Sequence, residues 1–283
     1  MLEELGIITA IIIFVTIYVS YKGLNDERFM DRYKFDVDRI LTGKEYVRLI
    51  SSGFLHVSWI HLIFNLVTLY FFSGSLESYM SSVNFIILYL GSLLGGNLLC
   101  LYLNRSNEDY TAVGASGAVA GLIFASISLF QGMDIRMFYI PFYIPAWVFG
   151  MLYILFTIYG IRKGKDRIGH EAHLGGAITG TLLALLMEPD IISYNWATIL
   201  LILIPCAIFI GIIFYQPNLL LIPINTSLRR KADKNTYDID HLYNAKRSED
   251  QRRIDSILEK VKRKGFDSLS KKEKDLLRSR VNR

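Results

Sequence analysis

Apolar residues along this chain gather into seven runs, at roughly 5–22, 54–73, 85–103, 115–131, 138–160, 171–188 and 196–216. Each is close to the ~20 residues an α-helix needs to cross about 30 Å of hydrocarbon. The pattern predicts an all-α polytopic membrane protein, with one membrane domain over 1–216 and a polar tail over 217–283. The first run could be mistaken for a signal peptide. It opens Met1-Leu2-Glu3-Glu4, without a basic start, and no small-x-small cleavage motif follows, so it is read as a membrane helix.

The connections differ in kind. Residues 23–53 form a long loop in which acidic and basic residues alternate with Phe29, Tyr33, Phe35, Val37, Ile40 and Leu41. That mixture is too apolar for a solvated linker and predicts a loop folded against the bundle or lying in the interface. The connections near 74–84, 132–137 and 189–195 are short, 104–113 is polar, and 161–169 is short and basic. Beyond residue 228 the chain carries 18 Lys/Arg against 10 Asp/Glu, whereas the part before it is slightly acidic. In the tail, Ser248 with Gln251 and Ser270 with Glu273 read as capping boxes for a small helical hairpin over 248–282. Two uses for it stand side by side: a solvated appendage, or a module docking on a partner or the membrane surface.

Composition adds little chemistry of its own. The chain is 52% hydrophobic, with a mean hydropathy of +0.33. Cys100 and Cys206 both fall within apolar runs, where packing is their default role. Nothing points to nucleic acid as a partner.

Polar residues inside membrane helices are costly and tend to be functional or paired. Three groups stand out. In the second run, His56, His61 and Asn65 occur in HVSWIHLIFN, and the four-residue spacing places His61 and Asn65 on one helical face. They could join helices by hydrogen bonds or donate to a reacting oxygen. The fourth run opens Gly114-Ala115-Ser116-Gly117. A serine at a helix start keeps a free backbone N–H beside its hydroxyl. The sixth opens with His170, Glu171, Ala172, His173, Leu174, Gly175 and Gly176. Gly117 with Gly121, and Gly176 with Gly180, form two GxxxG faces, which allow helices to approach closely. Such an approach could bring Ser116 within reach of the His173 imidazole as its base. His61, Asn65 and the Ser116 amide would then be oxyanion donors. No acidic third member is evident, since Glu171 sits two residues before His173 and points elsewhere. A zinc site is disfavoured because H-E-A-H misses the H-E-x-x-H register. No metal or organic cofactor is expected.

Taken together, EYVRLISSGFLHVSWIHLIFNLVTLYFFSGSLE, then GASG, then AHLGG, in that order on three helices, resemble the rhomboid family of intramembrane serine proteases. The resemblance spans about residues 40–188. It implies a six-helix core, with 196–216 as an additional seventh helix. It implies Ser116 as nucleophile, His173 as general base and acid, and His61 and Asn65 as oxyanion donors. Gly114, Glu45 and Arg48 match supporting positions, the last two in a first loop partly embedded in the membrane. Two departures accompany it. Val47 stands where Trp often precedes the arginine. Ala120 occupies the position, four after the serine, where an aromatic ring often stacks on the histidine.

The resemblance further implies transmembrane protein substrates and an active-site mouth on the extracytoplasmic side, here of a bacterial cytoplasmic membrane. The positive-inside rule points the other way, because the 23–53 and 161–169 loops and the tail, all on that side, carry the basic residues. Pro141 and Pro145, near the start of the fifth run, mark it as a candidate lateral gate. A non-catalytic helix binder is the competing function. A transporter finds less support, because charged intramembrane residues are scarce.

Overall fold

The computed structural model describes residues 6–136, 143–163 and 168–215, with Ile257, Lys260, Val261, Leu269 and Ser270 from the tail. Helix α1 spans Ile7–Asn25. The long first loop then folds into short helices α2 (Glu27–Tyr33), α3 (Val37–Leu41) and α4 (Arg48–Ser51) and a 3-10 turn, Ser52–Phe54. A two-residue strand β1 (Phe35–Asp36) precedes α3 and pairs antiparallel with β2 (Thr111–Ala112). Helices α5 (Trp59–Tyr79), α6 (Ser82–Asn104) and α7 (Ser116–Leu129) follow. A hairpin of β3 (Asp134–Arg136) and β4 (Tyr143–Pro145) leads into α8 (Ala146–Lys163). Helices α9 (His170–Met187) and α10 (Ile191–Tyr215) complete the described bundle.

The burial pattern is that of a protein in lipid. On α1 the buried residues are Thr9, Thr16, Ser20 and Gly23, while Ile7, Ile11, Phe14, Ile17 and Tyr18 are exposed. Small and weakly polar groups therefore face the bundle and bulky apolar ones face outward, since lipid is as apolar as leucine and close packing must hold helices together. Among the described residues four helices, α1, α5, α6 and the Ile191–Ile213 part of α10, are long and apolar enough to cross a membrane. Helix α7 is shorter. Its 14 residues rise about 21 Å, against the ~30 Å of a hydrocarbon core. It is buried at every residue from Gly117 to Leu129, so lipid does not set its length. Of the irregular chain before it, Ala112 to Gly114 are half-buried and Ala115 is buried, and non-helical backbone at membrane depth is tolerated where protein covers it.

Several boundaries differ from the sequence pattern. The second helix starts at Trp59, capped by the Ser58 hydroxyl accepting from the His61 N–H, so Leu55 and His56 lie in a buried turn before it. Pro145 does not weaken a first turn: it ends β4, opposite Asp134, and α8 begins after it. Pro141 lies outside the described residues. The last helix starts earlier than the apolar run suggests and bends at Asn195. There the Asn195 amide donates to Ile127 O (3.0 Å) and Ser128 O (2.8 Å), capping the carbonyls at the end of α7.

The first loop is packed. Phe35, Val37, Ile40 and Leu49 form a core with Cys100. Arg48, almost fully buried, pairs with the Glu45 carboxylate at 2.6 Å and donates to Asp31 O and Lys34 O, each at 2.8 Å. Beyond the loop, the Glu77 carboxylate accepts from Ile8 N, Thr9 N and Thr9 Oγ1, fixing the start of α1 to the end of α5.

The chain divides into two compact units, Met1–Ile222 and Pro223–Arg283. Within the second, Ile257 and Leu269 are buried. Most of the expected hairpin over 248–282 lies outside the described residues.

Candidate active site

Helix α9 lies in a slot between α6 and α7, and glycine makes the slot. A methyl group at Gly176 would sit 2.8 Å from Gly117 C and 3.2 Å from Gly117 Cα, and one at Gly180 would strike the backbone of Gly121. On the other side, a methyl at Gly175 would lie 2.8 Å from Gly95 O and 2.9 Å from Gly96 Cα. The two GxxxG faces expected from sequence therefore do meet. Gly95 and Gly96 of α6 form the second wall, which the spacing did not single out.

This approach brings two chain segments together. Gly117 follows Ser116, and a methyl on Gly117 would lie 3.2 Å from Ala172 O, next to His173. The first turn of α7 thus abuts the first turn of α9. Ser116 and His173 are both half-buried. Ser116 is the first helical residue of α7, so its amide has no partner within the helix.

The serine loop is held from behind. Gly114 has φ +140°, a conformation that favours glycine, and its N–H donates to Ser52 O at 3.0 Å. Ser52 Oγ and Leu49 O both accept from the Asn97 amide. The Ala115 N–H donates to His56 Nε2 at 3.4 Å. An accepting Nε2 places the ring proton on Nδ1, which donates to Ser20 Oγ (2.9 Å), which in turn donates to Phe54 O (2.9 Å). His56, fully buried, thereby joins α1, the first loop and the serine loop.

His61 faces the same place. A methyl group at Gly114 would lie 2.9 Å from His61 Cε1, 3.1 Å from its Nε2 and 3.7 Å from Ser116 Oγ. The His61 ring and the serine hydroxyl therefore flank Gly114, where any larger residue would separate them. Asn65, one turn on and buried, donates one amide proton to His61 O at 3.0 Å. Its NH₂ group carries a second. Glu45 and Arg48 lie apart from this cluster, in the first loop. The hydrogen bond from Arg48 is the main cause that holds the Glu45 carboxyl below its ordinary value.

Around His173 the neighbours are rings. Ala120 is buried on α7 and offers none. Tyr153 of α8 lies beside the imidazole instead, with centroids 6.1 Å apart and planes 31° from parallel. His170, buried one turn earlier on α9, meets His173 edge-on at 6.1 Å. Glu171 is directed away and engages the Tyr110 hydroxyl. Sequence reasoning missed Tyr153, Ser20, Asn97 and Glu77. Each acts across a long sequence separation, and no local spacing signals it.

Comparison with known proteins fits this architecture. The rhomboid domain matches residues 43–189, and a family of unknown function (DUF6576) matches residues 237–279. RHOMBOID-like protein 12, mitochondrial, of Arabidopsis thaliana is 28% identical over 182 residues, covering 59% of this chain and 53% of that protein. Rhomboid protein 1, mitochondrial, of Saccharomyces cerevisiae is 30% identical over 158 residues, covering 55% and 45%. YdcA of Bacillus subtilis, provisionally named a rhomboid protease, is 31% identical over 144 residues, covering 50% and 67%. The chain spans about half the length of the mitochondrial relatives. The rhomboid match takes in just over half of the 283 residues and falls on the helices that carry Ser116, His173, His61 and Asn65; this multi-pass membrane protein belongs to the rhomboid family.

Proposed function

We propose that this chain is an intramembrane serine endopeptidase working through a Ser116–His173 dyad. The observation that carries the reading is the backbone approach of α7 and α9 at Gly117 and Gly176, which brings their first turns together beside His61. A serine hydroxyl becomes a useful nucleophile only when a base takes its proton. His173 accepts that proton as Ser116 Oγ attacks the scissile carbonyl. His61, Asn65 and the Ser116 amide stabilise the oxyanion. His173 then protonates the departing amine, leaving an acyl-enzyme. Water, deprotonated by His173, attacks the ester; the acid product leaves and Ser116 regains its proton. No step calls for a metal or an organic cofactor.

The substrates are transmembrane or membrane-proximal segments of other proteins. The short α7 supports this: its 14 residues rise about 21 Å, less than the ~30 Å of a hydrocarbon core, so a serine at its start below the membrane surface fits that length. The setting proposed is a bacterial cytoplasmic membrane, and the likeness to a Bacillus subtilis protein is in keeping with a bacterial source. The tail fits a docking role on a partner or the membrane surface.

The test is cleavage of a reporter with a transmembrane segment, in proteoliposomes. Ser116→Ala and His173→Ala each abolish cleavage, and chelators leave it unchanged. Cleavage at the wild-type rate by purified Ser116→Ala protein would overturn the reading, whereas absence of cleavage by the wild type, with biological activity kept by Ser116→Ala, would favour a non-catalytic helix binder.

A further inference from the structure

A catalytic imidazole must be held in one plane to accept a proton from a fixed hydroxyl. Among the described residues no side chain hydrogen-bonds the His173 ring, and Glu171 is engaged with Tyr110. Among these residues, packing is what can orient the ring. Among the described residues two rings pack on His173, and of these Tyr153 is the nearer to parallel, tilted by 31° at 6.1 Å, a separation within the favourable range for aromatic pairs.

Tyr153 is itself fixed. Phe124, fully buried on α7, meets it at 5.5 Å and 62°, and Phe149 lies 6.0 Å away on α8. Its ring is thus gripped by the helix that carries Ser116 while lying against the ring on α9. Phe149, Tyr153, Phe156 and Gly160 share one face of α8 by their spacing. Further along that face, Phe156 meets His170 edge-on at 5.3 Å, and a side chain at Gly160 would run into the His170 ring. One face of α8 therefore packs on both histidines of α9.

We propose that Tyr153 is the positioning residue for His173, and that, because it is carried on α8, the placement of α8 sets the orientation of the base. The proposal rests on the Ser116–His173 reading above. It makes α8 more than a wall: displacing it sideways withdraws the ring that lines His173 up with Ser116. Catalytic competence then depends on α8 packing back after substrate enters.

The test compares Tyr153→Phe, Tyr153→Leu and Tyr153→Ala with the wild type in two assays. One is cleavage of a transmembrane reporter in proteoliposomes, resolved into kcat and KM. The other is the rate of inactivation by a small fluorophosphonate in detergent, which needs no lateral entry of a helix. Tyr153→Leu and Tyr153→Ala should lower kcat and the inactivation rate together, by about tenfold, with KM within twofold. Tyr153→Phe, which keeps the ring, should retain at least half of both. The leucine variant fills most of the volume, so it answers the question if the alanine variant does not fold. Wild-type inactivation rates in a folded Tyr153→Leu protein would overturn the proposal. So would a rise in KM alone, which would mean that Tyr153 only gates entry. If the wild type shows no Ser116-dependent inactivation, the dyad reading itself fails and the proposal with it; if inactivation is Ser116-dependent but indifferent to Tyr153, only the proposal fails.

Discussion

Replacing Gly176 with alanine puts one methyl group between α9 and α7. That methyl would lie 2.8 Å from Gly117 C and 3.2 Å from Gly117 Cα, whereas carbon atoms rest at about 3.5–4.0 Å. Both neighbours are backbone, so no rotamer change relieves the overlap. The helices must separate by about 1 Å to restore ordinary contact. Overpacking of this kind costs about 1–3 kcal/mol. The cost to chemistry is larger, because His173 sits one turn before Gly176 and moves with it. A shift of about 1 Å away from a reacting group can lower the rate about 100-fold. The assay is kcat for a transmembrane reporter in proteoliposomes, beside thermal unfolding in detergent. Gly211→Ala on α10 is the control, because a methyl there meets nothing within 4 Å; it should leave kcat unchanged. If Gly176→Ala loses stability yet cleaves at the wild-type rate, the helix approach does not position the dyad and the argument is refuted.

Other expectations follow from contacts further out. The Glu45 carboxyl is held below its ordinary 4.5, first by its hydrogen bond from Arg48. Its contribution to stability is therefore full above about pH 4.5 and lost as pH falls through the lowered folded value. The melting-temperature gap between wild type and Glu45→Gln should be constant from pH 7 to 5 and shrink as the pH falls below 4.5; a gap that does not shrink on acidification would contradict this. Asn195→Ala leaves Ile127 O and Ser128 O uncapped in a buried place, and should cost about 1–3 kcal/mol in denaturant titration, with cleavage retained in the folded fraction. His56→Leu removes the acceptor for the Ala115 N–H and the partner of Ser20. It should lower both stability and kcat, while Ser20→Ala, which keeps the Ala115 bond, should affect mainly stability.

How much of this was legible beforehand follows from the range of each interaction. Apolar runs located the seven long helices found among the described residues, because lipid demands continuous hydrophobic stretches. They misplaced starts where apolar residues are buried in turns, as with Leu55 before Trp59, and where a strand precedes a helix, as with Tyr143–Pro145 before α8. The small residues of α7 and α9 announced a close approach, and the structure has it at Gly117–Gly176 and Gly121–Gly180. The family resemblance marked Ala120 as lacking a ring without saying what would replace it. Tyr153 became visible only when α8 was placed against α9. The same holds for the chain from Ser20 through His56 to Ala115, for Glu77 at the start of α1 and for Asn195 at the end of α7. Each joins residues more than 30 positions apart, and no local pattern encodes such a pairing.

The central claim is that Ser116 is a nucleophile activated by His173. The most direct measurement is mass spectrometry of the purified protein after reaction with a fluorophosphonate, for wild type, Ser116→Ala and His173→Ala. The account predicts one adduct on the peptide containing Ser116 in the wild type and none in either variant. An adduct on another residue, or equal labelling of the His173→Ala protein, would contradict it.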